Sequence, residues 1–297
     1  MRKLLTRTAA ALLAGTVVFT PVAAKTPAPA KPALWVLSDA DTTIYLFGTI
    51  HLMPKGTQWR TPAFDKAATS ASDLVIETVI DEANPAGAAA EMMKLAVSPG
   101  LPPLAERVPA DKRDTLNAVA AKTGVPTAVL DQLETWAAAI IMLGVTFKDL
   151  GLDPESGVET ALKTEFTNAK KPIGQLETNA EQFGFFDTLP EAAQRKFLEG
   201  ILDDPAKGKA QFDEMLAVWA RGDVKGMGDV FNRELAQSPD LRENLLRKRN
   251  ANWNGWLQRR LATPGTTLVA VGAGHLAGDD SVIAMLEKGG YKVKRVQ

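Results

Sequence analysis

Two stretches, Gly48-Thr49-Ile50-His51 and Gly272-Ala273-Gly274-His275, repeat one design near opposite ends of the chain. Each follows an apolar, β-branched run: Thr43-Ile44-Tyr45-Leu46-Phe47 before the first, Thr267-Leu268-Val269-Ala270-Val271 before the second. Runs of that kind read as strands buried in a sheet. The glycine lets the backbone turn sharply at the strand end, where open α/β sheets place their ligands. His51 and His275 are the only histidines of the sequence, and the repeated design directs both imidazoles to one crevice. Two unrelated, structurally satisfied histidines are the alternative. Spending the whole histidine complement on matching turns weighs against it.

Outward from the first stretch, Leu34-Trp35-Val36-Leu37-Ser38 and Thr43 to Phe47 flank Asp39-Ala40-Asp41 and predict a β-hairpin. Thr61-Pro62 marks a helix start with Pro in the first helical position, the helix running to about Ser72. Asp73-Leu74-Val75-Ile76-Glu77-Thr78-Val79 predicts a short buried strand carrying Glu77 near its end. Pro85 to Gly151 turns helical: one helix around Met92 and Leu95, a second stopping at Gly124, and a longer one from Pro126 through Trp136 to Leu143. A helix from Val158 to Ala169 leads into a second carboxylate strand, Pro172-Ile173-Gly174-Gln175-Leu176-Glu177-Thr178. Residues 180 to 262 return to helix with breaks near Pro190, Pro205 and Gly222. The chain ends as strand, helix and strand: Thr267 to Val271, about Asp280 to Lys288, and Tyr291 to Val296. The fold class is therefore α/β, one domain over 34–297. Its central β-sheet is built from N- and C-terminal strands, with a large helical insertion at about 84–170 and 180–262.

Composition bounds the function. The 297 residues carry a formal net charge of -1 and no cysteine, which excludes disulfides, zinc–thiolate sites and thiol nucleophiles. Arg2, Lys3 and Arg7 precede an apolar run, Ala9 to Phe19, too short to span a bilayer, and Val22-Ala23-Ala24 supplies small residues for cleavage. Residues 1–24 thus read as a signal peptide and 25–33 as a Pro/Ala-rich tether. A periplasmic or secreted, soluble protein is expected, without stable membrane insertion after cleavage. Losing three basic residues leaves a mildly acidic chain, with no electrostatic footing for nucleic acid.

The chemistry lies at four strand ends: His51, Glu77, Glu177 and His275. Two imidazoles with one or two carboxylates form a ligand set for a divalent transition metal. Such an ion activates water and polarises a carbonyl. A buried strand-end carboxylate can instead cap a helix or pair with Arg. Arg249, in the basic segment Arg247-Lys248-Arg249, offers a fork for a substrate carboxylate or a developing oxyanion, or else belongs to a solvated helix face. Gln182 either orients a ligand or caps the following helix.

The string Leu34-Trp35-Val36 … Tyr45-Leu46-Phe47-Gly48-Thr49-Ile50-His51-Leu52 resembles the opening of the TraB/GumN family. So do Ile76-Glu77, Lys171-Pro172-Ile173-Gly174 … Leu176-Glu177-Thr178 … Gln182, Arg249-Asn250 … Trp253, and Val271-Gly272-Ala273-Gly274-His275-Leu276-Ala277-Gly278. The resemblance covers about residues 33 to 297. The animal TIKI proteins, membrane-tethered metalloproteases using manganese or cobalt and paired GxxH histidines, are relatives of that family. Erythromycin-esterase-like and ChaN-like proteins are more distant ones. The resemblance implies that His51 and His275 are catalytic or metal-binding, with Glu77 and Glu177 in their pocket and Arg249 and Asn250 beside them at the substrate. Manganese or cobalt is the expected ion, with zinc or iron as alternatives, and a peptide or small amide the expected substrate. An esterase-like, metal-independent hydrolase and a non-catalytic protein that sequesters a peptide or envelope ligand are the competing readings. Unlike the TIKI proteins, the chain shows no membrane anchor beyond its leader.

Overall fold

The computed structural model describes residues 30–79, 85–98, 100–236 and 238–297; the expected signal peptide and most of the tether lie outside them. The hairpin forms as its pattern demands. β1 (Leu34–Ser38) and β2 (Thr42–Thr49) pair antiparallel with Ser38 opposite Thr43. Asp39 fixes the turn by accepting the Asp41 and Thr42 amide N–H groups on one carboxylate oxygen. Next come α1 (Pro62–Ser70), capped by the Thr61 hydroxyl, and β3 (Asp73–Ile76).

The insertion follows as α2 (Pro85–Ala96), α3 (Arg113–Lys122), α4 (Thr127–Leu130), α5 (Thr135–Asp149) and α6 (Val158–Asn168). The long helix expected from Pro126 is in fact two, α4 and α5, interrupted at 131–134. Buried Arg107 explains the break. Its guanidinium donates to the Asp131 and Leu133 carbonyls, each 2.6 Å away, which a continuous helix would need for itself. Glu134 N–H donates instead to Ala96 O.

Strand β4 (Ile173–Gln175) then returns to the sheet, followed by α7 (Asn179–Asp187), α8 (Glu191–Ile201), α9 (Pro205–Ala220) and α10 (Val224–Leu235). The breaks fall at Pro190, Pro205 and Gly222 as expected. One further break precedes α11 (Pro239–Arg242), where the Ser238 hydroxyl caps the new start. A π-turn, Glu243–Lys248, then runs into α12 (Arg249–Leu261). β5 (Gly265–Gly272), α13 (Val282–Lys288) and β6 (Val293–Arg295) complete the chain.

The six strands lie in the order β4-β3-β5-β2-β1-β6. β4, β3, β5 and β2 are mutually parallel, whereas β1 runs antiparallel to both β2 and β6. One face packs Phe47, Leu74 and Leu268 against Phe64 of α1 and against α6 and α9; the other packs Leu46, Val269 and Val271 against Trp253, Leu257 and Leu286. A separate core, centred on fully buried Trp136, holds α2 to α5 and α8 together. No helix among the described residues is long and apolar enough to cross a membrane.

Candidate functional site

Strand order decides where the chemistry gathers. Four parallel neighbours end on the same edge of the sheet, and just beyond each end stands a predicted residue. Glu177 follows β4, Glu77 follows β3, His275 follows β5 and His51 follows β2. The two GxxH turns pack directly together. A Cβ on Gly48 would stand 3.0 Å from the Ala273 Cα, so glycine is what permits the approach. The Gly48 carbonyl accepts the Trp219 indole N–H at 2.8 Å.

Arg249 enters from the first turn of α12 and joins both carboxylates. Its Nη2 donates to Glu77 Oε2 at 2.5 Å and to Glu177 Oε1 at 2.6 Å, while Nε reaches Glu177 at 3.0 and 3.2 Å. The preceding π-turn offers its Leu245 carbonyl to Nη1 at 3.3 Å. Trp253, one turn further along α12, lies under the guanidinium at 4.8 Å and donates its indole N–H to Glu177 Oε2. Gln182 donates to Glu177 Oε1 at 3.2 Å. It does not cap α7, because a capping box of Thr178 and Glu181 already does so.

The two imidazoles are held differently. His275 is buried, with Nδ1 2.6 Å from the Asn250 side-chain oxygen. Asn250 spends its amide N–H on Asp280 O at 2.7 Å, which orients the amide and makes His275 Nδ1 the donor. His275 Nε2 is then the acceptor and takes Arg249 Nη1 at 3.2 Å. Burial, and then the charge of Arg249, push the His275 pKa down to about 3, so the ring is neutral. Asn250, expected beside the substrate, is fully buried and holds His275.

His51 is the open member, its side chain 59% exposed. Its Nδ1 stands 2.7 Å from Glu159 Oε1, an oxygen that also accepts the Thr49 hydroxyl. Desolvation works against charge on the ring, but Glu159 and then Glu77 outweigh it and raise the pKa to about 9. Burial would likewise raise Glu77; Arg249 and the Gly272 N–H, 2.7 Å from Oε1, hold it far below the usual carboxylate range. Glu177 is pushed up by burial, against the pull of Arg249. Glu159 was not among the expected site residues. The sequence shows it only as an acid in the first turn of a helix, a common position with no signal of its pairing.

Two imidazoles and one carboxylate face one another at one place. His51 Nε2 and His275 Nε2 lie 4.0 and 3.8 Å from Glu77 Oε1. Gly272 leaves the space between them open: a Cβ there would stand 3.2 Å from both Glu77 Oε1 and His51 Nε2. Donors at about 2.1 Å from a tetrahedral ion lie about 3.4 Å apart, so each histidine stands roughly half an ångström too far from Glu77 for that geometry. Among the described residues no three His, Cys, Asp or Glu side chains are in metal-holding geometry. Glu177 does not reach this space, both its oxygens being taken by Arg249 and Trp253.

A mixed α/β sheet whose parallel strand ends bring together two GxxH histidines, two glutamates and one arginine defines the class. This chain belongs to the TraB/PrgY/gumN family, whose family model matches residues 33–295. A protein of Escherichia coli (strain K12), described as uncharacterized protein YbaP, is 22% identical over 255 residues, which span 86% of this chain and 92% of that protein. The YbaP of Shigella flexneri matches equally, with 22% identity over 255 residues. No solved structure matches the chain.

Proposed function

We propose that this chain is an exported hydrolase of peptide or amide bonds in which His51, His275 and Glu77 hold a divalent transition metal. Manganese or cobalt is favoured, with zinc or iron as alternatives. The observation that carries this reading is the convergence of His51 Nε2 and His275 Nε2 on Glu77 Oε1, 4.0 and 3.8 Å away, around the space left by Gly272. An ion there supplies Lewis acidity toward a carbonyl and makes water nucleophilic near neutral pH. His51 gives up its Nε2 proton on joining the set. Asn250 keeps His275 in the tautomer whose Nε2 carries the lone pair, which Arg249 Nη1 would have to release. Glu177, its pKa raised by burial, would serve proton transfer only once Arg249 and Trp253 release it into the pocket. Arg249, on swinging from Glu177, would grip a substrate carboxylate or a developing oxyanion. Substrate enters on the exposed side of His51.

Elemental analysis of protein purified without chelator or tag histidines, beside a His51→Ala, His275→Ala double variant, tests the reading. About one equivalent of metal, lost in the double variant, is expected, followed by cleavage in a peptide library. No metal after reloading with manganese or cobalt would overturn it. One observation favours a metal-free alternative: Arg249 Nη1, 3.2 Å from His275 Nε2, already places a fixed positive charge in the pocket. In that reading His51, once it has lost the proton that Glu159 and Glu77 stabilise, is the general base of esterase-like chemistry, so hydrolysis rises towards alkaline pH and survives chelators.

A further inference from the structure

We propose that Glu159 is the positioning residue of His51: its carboxylate fixes the proton on Nδ1 and so aims Nε2 at Glu77 and His275. The role rests on His51 being a working group of the site proposed above. Five contacts argue for it together. His51 Nδ1 lies 2.7 Å from Glu159 Oε1, while Nε2 faces Glu77 Oε1 at 4.0 Å. The same Glu159 oxygen accepts the hydroxyl of Thr49, the last residue of β2, so strand end and ring share one anchor. The start of α6 is fastened to the turn that carries His51, because Val158 N–H donates to Ile50 O at 3.2 Å. Gly157 lies against the His51 carbonyl so closely that a Cβ would overlap it, so this close approach of the α6 start requires glycine.

The ring needs such an anchor. His51 is 59% exposed where Glu159 is 15% exposed, so the carboxylate is the better-fixed partner. Which imidazole nitrogen keeps its proton is set by the hydrogen bond the other side makes. Asn250 does this for His275 with an amide oxygen. Glu159 does it for His51 with a carboxylate, from a different helix. Both rings thereby present Nε2 to the space beside Gly272.

Only two histidines exist, so a long-range proton–nitrogen correlation spectrum of histidine-labelled protein contains just two rings. Recorded at a pH where both rings are neutral, the wild type is expected to show Nδ1 protonated in each. Glu159→Leu and Glu159→Ala remove the acceptor, one filling its space and the other vacating it. Each should move the His51 proton to Nε2 and leave His275 unchanged. Glu159→Gln, which keeps an accepting oxygen, should restore the wild-type pattern. A His51 that keeps its Nδ1 proton in the Leu and Ala variants overturns the proposal. Manganese titration of the same samples separates the two ideas. Wild-type protein that takes up no manganese removes the metal reading, while the tautomer pattern still decides the role of Glu159.

Discussion

Arg249 Nη1 stands 3.2 Å from His275 Nε2, and Nη2 of the same guanidinium bridges Glu77 and Glu177 at 2.5 and 2.6 Å. One buried cation therefore bridges two buried carboxylates, offsetting one of their two charges, and pins one imidazole. Removing one partner from a buried ion pair strands the other charge and costs about 3–5 kcal/mol. Arg249→Met is expected to lose stability on that scale in urea unfolding. Adding Glu177→Gln, which removes one stranded charge, should recover part of it. An Arg249→Met protein with an unchanged midpoint would mean that the bridge contributes little.

Arg107 makes an independent case inside the helical insertion. It is 1% exposed and meets no carboxylate directly; its donors go to the Pro102, Asp131 and Leu133 carbonyls and to the Thr135 hydroxyl. Each buried acceptor left without a donor costs about 1–3 kcal/mol. Arg107→Met should lower the unfolding midpoint while leaving metal content and any turnover unchanged, because it lies in a different core from the strand ends. Loss of metal in a folded Arg107→Met protein would show that the insertion and the site are coupled.

What the sequence discloses follows from how local each signal is. His51, Glu77, Glu177 and His275 were legible because each follows a short apolar run, and strand ends are marked in the chain itself. The place of Arg249 between the glutamates was open, since pairing with Arg was one of two alternatives for each carboxylate. Glu159 was not legible: its contact with His51 joins a strand end to a helix start through the fit of Gly157 against the His51 carbonyl. Nor was the break between α4 and α5, because the group that draws away the helix carbonyls is Arg107, from an earlier turn. Periodicity reads a helix's own residues, not a competitor for its backbone.

Asn250 gives a prediction on the metal itself. It is fully buried and sets the His275 tautomer through a 2.6 Å contact with Nδ1. Loss of such an outer partner weakens metal affinity about 10–100-fold. Asn250→Ala should therefore bind manganese more weakly by that factor in calorimetry, with the shortfall in affinity rather than in stoichiometry. Wild-type affinity in the variant would show that His275 needs no partner or is not a ligand.

Gly272 separates site from fold most cleanly. It ends β5, and its N–H supports Glu77 Oε1 at 2.7 Å, a bond that alanine keeps. The added methyl would stand 3.2 Å from Glu77 Oε1 and His51 Nε2 and 3.6 Å from His275 Cδ2, in the space where the three groups face one another. Its neighbours are side-chain ends rather than backbone, and the exposed His51 ring can move aside. Destabilisation should accordingly stay near 1 kcal/mol, at the mild end for overpacking. Metal content and turnover should fall at least tenfold, because the methyl occupies the volume that an ion or a reacting carbonyl would use. Gly272→Ala protein that melts within about 2–4 °C of wild type but binds manganese at least tenfold less is the expected result. Full binding in that variant would move the working site away from the space between the two histidines.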